Sequence, residues 1–82
     1  MLSYSPNPFK EDITIRYKVN KTSNVRIDLT DIYGRVVKEF INTHQSVGTY
    51  NLTQVIDELN QGVYLLRIQD GEQTQAKLLL KY

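Results

Sequence analysis

Residues 12–19 alternate without a fault. Ile13, Ile15, Tyr17 and Val19 fall on one side of an extended chain, and Thr14, Arg16 and Lys18 on the other. Successive side chains of a strand point to opposite faces, so such a run buries one face and wets the other only as β-structure. The pattern returns at once, with Val25, Ile27 and Leu29 set against Arg26, Asp28 and Thr30. A chain of 82 residues supports one small domain, which buries roughly 60–65% of its unfolded surface. Two half-buried strands so early commit that domain to packing sheets face to face.

The remaining segments continue in the same manner. Residues 20–24 are a polar turn, and Asp31-Ile32-Tyr33-Gly34 is a turn whose Asp bonds its own backbone and whose Gly accepts positive φ. A third strand is expected over residues 35–41, then a loop over 42–47 that holds the single histidine, His44. A fourth strand opens at residues 48–52, and residues 54–61 read as an irregular connection that tucks Val55, Ile56 and Leu59 under a sheet. The fifth strand, residues 63–69, turns Tyr64, Leu66 and Ile68 to one face. Asp70-Gly71 is a two-residue hairpin signal that sends the chain back as a sixth strand. There Thr74, Ala76, Leu78 and Leu80 share one face, and Gln75, Lys77, Leu79 and Lys81 the other. The expectation is that Leu78 and Leu80 complete the core while Leu79 faces away. Before all of these, Pro6 and Pro8 fix φ and hold Ser5 and Asn7 extended. Residues 1–10 therefore form a stiff entry segment and residues 11–82 the domain. Short strands, frequent turns and no convincing helix predict an all-β, antiparallel Greek-key sandwich of six to seven strands.

Composition narrows the function. There are no cysteines, hence no disulfide and no thiolate metal site. The net charge is +1 with both signs mixed, which argues against a nucleic-acid partner. Asp28, Asp31, Asp57, Glu58 and Asp70 are too dispersed to match a metal loop with oxygen ligands at fixed offsets. No apolar run approaches the ~20 residues that span a bilayer as helix, and Met1-Leu2-Ser3-Tyr4 does not open like a signal peptide. His44 reads as a solvated loop residue, and no serine sits in a nucleophile-elbow context. Neither enzyme, cofactor nor integral membrane protein is expected.

Two features remain. Gly-x-Tyr-x-Leu occurs twice, as Gly48-Thr49-Tyr50-Asn51-Leu52 and Gly62-Val63-Tyr64-Leu65-Leu66. A tyrosine behind a strand-opening glycine supplies core volume and a hydroxyl for a backbone group, as in the tyrosine corner of Greek-key sandwiches. Both repeats are read as structural. The other feature is the closing run Lys77-Leu78-Leu79-Leu80-Lys81-Tyr82. Domains commonly end in frayed polar residues, so an apolar run predicts a strand paired deep in a sheet, an end read by a partner, or both. Lys77 and Lys81 then act as edge gatekeepers.

In order along the chain, these pieces resemble the type A C-terminal sorting domain of the type IX secretion system. Tyr4-Ser5-Pro6-Asn7-Pro8-Phe9 is similar to the family's Pro-Asn-Pro opening. Asp31-Ile32-Tyr33-Gly34-Arg35 is similar to its Asp-x-x-Gly-Lys/Arg turn. The elements at Gly48 and Tyr50 and at Gly62 and Tyr64 match its two Gly-x-Tyr motifs, and residues 74–81 its closing lysine-plus-apolar strand. The resemblance implies an immunoglobulin-like or fibronectin type III-like sandwich without catalysis, placed behind an N-terminal cargo domain. Its partners would be the outer-membrane translocon and a sortase-like protease that removes it. The route would run through the periplasm of a Gram-negative bacterium to the cell surface or beyond. The sorting-signal candidates are Lys77, Leu78, Leu79, Leu80, Lys81 and Tyr82. Two other classes fit the strand pattern: a passive accessory module serving as spacer or adhesion domain, and a small carbohydrate-binding module. An exposed edge strand also leaves room for a homodimer.

Overall fold

The structure is a computed structural model that describes residues 2–5, 12–56, 58–71 and 73–81. Among the described residues seven strands are seen: β1 (Leu2–Ser5), β2 (Asp12–Val19), β3 (Ser23–Thr30), β4 (Val36–Gln45), β5 (Gly48–Val55), β6 (Gly62–Asp70) and β7 (Gln73–Lys81). They form two antiparallel sheets, one of order β1-β2-β5 and one of order β4-β3-β6-β7. Among the described residues there is no helix. The expected sandwich is therefore observed, and Leu2–Ser5, within the entry segment, pair with β2 as a short edge strand.

The alternation seen in the sequence builds the core. Ile13, Ile15, Tyr17 and Val19 of β2 are buried against Val25, Ile27 and Leu29 of β3 and Tyr64, Leu66 and Ile68 of β6. Ile56, from the irregular connection after β5, is fully buried as well, and Leu59 packs against the same cluster. Tyr17 and Tyr50, opposite one another on β2 and β5, stack with ring centroids 5.4 Å apart. Such a pair adds about 0.5–1.5 kcal/mol beyond the area it buries. The Tyr17 hydroxyl donates to Gln45 Oε1 at 2.8 Å, joining the two sheets. Burial holds the Tyr17 pKa above its ordinary value, although the bond to Gln45 opposes that shift.

Both Gly-x-Tyr tyrosines make the same local bond. Tyr64 donates its hydroxyl to the Asn60 carbonyl at 2.6 Å, and Tyr50 donates to the Ser46 carbonyl at 2.7 Å. Each hydroxyl thus satisfies a carbonyl four residues upstream, where the chain enters a strand. Gly48 and Gly62 open β5 and β6 at those entries.

Val55, expected to tuck under a sheet, instead ends β5 with 60% of its surface exposed. Three other local expectations need correction. Residues 42–45, read as loop, belong to β4, so His44 is a strand residue opposite Asn24. Two register shifts in the β3–β4 ladder, at Ile27/Asp28 and Leu29/Thr30, break the period of two and obscure that length. The β6–β7 turn lies one residue later than expected, because Asp70, read as part of the turn, ends β6 and pairs with Gln73. Gly71 takes φ +61°, the left-handed conformation that a turn of this kind demands.

The third correction concerns β7. Leu79 is fully buried, while Leu78 and Leu80 are 58% and 46% exposed. A two-residue hairpin pairs even-numbered residues with odd-numbered ones, and cross-strand partners share a face. Once Tyr64, Leu66 and Ile68 point inward, their partners Leu79, Lys77 and Gln75 take the inner face. Leu78 and Leu80 are left outside. Replacing Leu79→Ala should cost about 2–5 kcal/mol, whereas Leu78→Ala should stay within about 0.5 kcal/mol; urea unfolding of the two variants measures both.

Candidate functional site

The closing hairpin is held by its turn. The Ser23 hydroxyl bonds the Asp70 carboxylate, and the Gly71 amide donates to the Asn24 carbonyl at 3.2 Å. The start of β3 therefore clamps the turn, and from it nine consecutive residues of β6 pair with nine of β7 without a bulge. Lys81, opposite Gly62, is buried, and Lys77, opposite Leu66, is exposed.

On the outer face of the four-stranded sheet, register brings apolar side chains from three strands into line. Val36 lies opposite Thr30, Thr30 opposite Leu65, and Leu65 opposite Leu78. The next rung sets Val63 opposite Leu80. Val36 is 44% and Val63 38% exposed, so the row runs across the whole sheet as a wet, mostly apolar band. It occupies the end of the sheet where β7 finishes, β6 begins and β3 turns into β4.

That turn is rigid. Asp31 accepts hydrogen bonds from the Tyr33 and Arg35 amides at 2.9 and 3.0 Å, and from Arg35 Nε at 2.9 Å. Gly34 closes the turn at φ +85°. Desolvation alone would raise the Asp31 pKa, but the two amide bonds and the Arg35 guanidinium outweigh it and hold the carboxyl below its ordinary value. The arginine also lies over the Tyr33 ring, 5.9 Å from its centroid. Ile32 and Tyr33 are largely exposed at the tip.

Further along the same face lies an ionic cluster. Arg67 binds Asp28 through both oxygens, at 3.0 and 2.8 Å. Arg26 Nε is 3.2 Å from Asp28 and 3.2 Å from Glu39, a charge contact without hydrogen-bond alignment. Asp28 is fully buried beneath these side chains although it points away from the core. Its hydrogen bonds raise the pKa of Arg67. Paired in this way the cluster is neutral, and removing one partner would strand a buried charge.

Among the described residues no three His, Cys, Asp or Glu side chains gather as metal ligands. A cleft of about 30 Å³ lies between Tyr17, Ile68 and Gln75, too small for anything much larger than water. A wider dish at the β2–β3 and β6–β7 turns is lined by polar side chains and Gly71.

The sorting-signal candidates therefore divide. Leu78 and Leu80 join the outer band, Leu79 and Lys81 are buried, Lys77 lies exposed at the edge, and Tyr82 lies outside the described residues. Asp31, Gly34 and Arg35 form the turn beside the band, and Tyr50 and Tyr64 brace strand entries. Pro6, Asn7 and Pro8 also lie outside the described residues. Sequence reasoning misses Val36, Val63 and Leu65, since only cross-strand register brings them to the terminal leucines.

A family model described as a secretion system C-terminal sorting domain matches residues 4–81, from the entry segment to the last residue of β7. The chain belongs to this family. No match is found among curated proteins. The domain is a C-terminal sorting signal for type IX secretion, and it directs export toward the cell surface or the extracellular space. The sorting domain's partner is the type IX secretion machinery, and the domain forms the C-terminal part of its cargo.

A titration checks the turn of this sorting domain. The Asp31 carboxyl has a folded pKa below its unfolded value, so its contribution is complete above about pH 4 and fades as pH falls through the folded value. Urea midpoints followed from pH 5 to pH 2 should fall less steeply for Asp31→Asn than for the parent chain.

Proposed function

We propose that the export machinery reads the outer face of the four-stranded sheet at its β7 edge, where Leu78 and Leu80 stand beside Val63, Leu65 and Val36. Lys77 marks the strand's exposed border. The observation that carries this reading is the division of labour within β7. Leu79 locks the strand into the core, while the side chains of its two neighbours are exposed on the outer face of a strand that pairs with β6 without a bulge. A machine that handles many cargoes gains from reading a few apolar positions on one sheet face, because the rest of the sequence is then free to vary. The domain itself supplies no chemistry. It follows an N-terminal cargo domain through the periplasm, and a sortase-like protease then removes it by cutting upstream of the sandwich. No cofactor or metal enters the process.

A reporter fusion tests this. The 82-residue chain is placed behind a periplasm-directed fluorescent protein in a bacterium with type IX secretion. Truncating β7 would remove Leu79 and confuse unfolding with loss of recognition, so point changes are preferable. Leu78→Thr/Leu80→Thr keeps strand-forming residues and should leave the fusion folded but trapped in the periplasm. Normal export of that variant would contradict the proposal.

A further inference from the structure

Two edges of the sandwich differ in how they are protected. β4, an edge of the four-stranded sheet, carries two register shifts, and its Lys38 bonds Glu58 of the connection after β5. Bulges and charges of this kind blunt an edge against pairing. β5, an edge of the three-stranded sheet, has neither. Its eight residues, Gly48-Thr49-Tyr50-Asn51-Leu52-Thr53-Gln54-Val55, include no charge and no proline, and they pair with β2 without a shift. Among the described residues β5 pairs with no other strand. A long, regular, neutral edge is a template for another strand.

The side chains of β5 indicate which strand fits. Thr49, Asn51, Thr53 and Val55 are exposed, and Val47 lies two residues before Thr49. At every second position from 47 to 55 the residues are Val, Thr, Asn, Thr and Val, the same in both directions. Val47 and Val55 are each 60% exposed, at the two ends of that row. A row that is its own reverse is complementary to itself in an antiparallel pair. A two-fold axis at Asn51 sets Asn51 opposite Asn51 of a second copy, Thr49 opposite Thr53, and Val47 opposite Val55. Cross-strand pairs of this kind stabilise a ladder. On the inner face the same axis sets Tyr50 opposite Leu52, two residues that the core covers only in part. Thr53 already bonds the Thr14 hydroxyl at 3.0 Å. Its hydroxyl, with one donor and two acceptor sites, can bond Thr49 of the second copy as well.

Electrostatics permits the pairing. Arg16 lies opposite Asn51, and Lys18 opposite Thr49. The two copies of Arg16 would stand three strand spacings apart, about 14 Å, beyond the screening length of about 8 Å. Lys18 would fall in line with Thr14 of the second copy.

We propose that β5 pairs with β5 of a second copy, antiparallel about a two-fold axis at Asn51, joining two three-stranded sheets into one of six strands. An edge contact of this length lies at the small end of specific interfaces, so the association is reversible. The apolar band of the four-stranded sheet stays outside the contact, and the pairing is independent of the sorting proposal.

The test uses the full chain. Its weight-average mass in sedimentation equilibrium should climb from monomer toward dimer between about 10 µM and about 1 mM, as a small interface implies. Asn51→Lys sets two ammonium groups opposite one another and should keep the chain monomeric, with circular dichroism unchanged. Leu78→Thr/Leu80→Thr should leave the dimer as it was. Cross-linking reads the register separately, since the chain has no cysteine of its own. Asn51→Cys meets its own copy on the axis. Under mild oxidation it should form an intermolecular disulfide at least about tenfold faster than Thr49→Cys, whose copy lies four residues away along the strand. A chain that stays monomeric throughout that range overturns the proposal. So does a dimer that survives Asn51→Lys, or equal cross-linking at positions 49 and 51. A dimer that Leu78→Thr/Leu80→Thr dissolves places the contact on the other sheet and overturns the proposal too.

Discussion

The sorting surface proposed for this domain depends on the register of one hairpin. Gly71 takes a left-handed conformation, Ser23 and Asn24 hold the turn from β3, and β7 returns with Leu79 opposite Tyr64. A slip of one residue would carry Leu78 and Leu80 inward and push Leu79 into water, since the side-chain period of a strand is two. Burying a leucine is worth about 1.5–3 kcal/mol, a large share of the stability of a chain this small. The hydrophobic effect therefore fixes the last strand through one residue and leaves its neighbours exposed on the outer face.

The rest of the sandwich makes that assignment stiff. Tyr50 and Tyr64 each tie a strand entry to a carbonyl four residues upstream, and Tyr17 bridges the sheets through Gln45. On the outer face the Arg26, Asp28, Glu39 and Arg67 cluster cancels its own charge, so the centre of the face offers little net attraction. The apolar band beside it keeps Val36, Val63, Leu78 and Leu80 exposed. One sheet thus has two regions of different character: a neutralised ionic centre that braces β3, β4 and β6, and an apolar border reaching β7.

Much of this architecture is legible in the amino-acid sequence. The inner faces of β2, β3 and β6 follow from strict alternation, and the turn at Asp31 and Gly34 from side-chain chemistry. β4 reads too short because its bulges interrupt the alternation and because Asn42, Thr43 and His44 look like loop residues. β7 reads with its faces exchanged because Leu78-Leu79-Leu80 has no alternation of its own. Two leucines outweigh one in any local count, and only pairing with β6 settles the question. Val36, Val63 and Leu65 escape for the same reason: their meeting with β7 is a property of register across four strands. Alternation sets Asp28 on the outer face, as observed, but its burial needs two arginines, one of them 39 residues away, and no local pattern reports that.

Because the chain contains no cysteine, the orientation of β7 is open to direct chemical measurement. Single variants Leu78→Cys, Leu79→Cys and Leu80→Cys would each be exposed to a thiol-specific reagent under native conditions, with the labelling rate referred to the same variant in denaturant. The account predicts fast native labelling at positions 78 and 80, and at position 79 protection that is lost only on unfolding. Protection at 78 and 80 with ready labelling at 79 would contradict it, and with it the outward face on which recognition is proposed to rest.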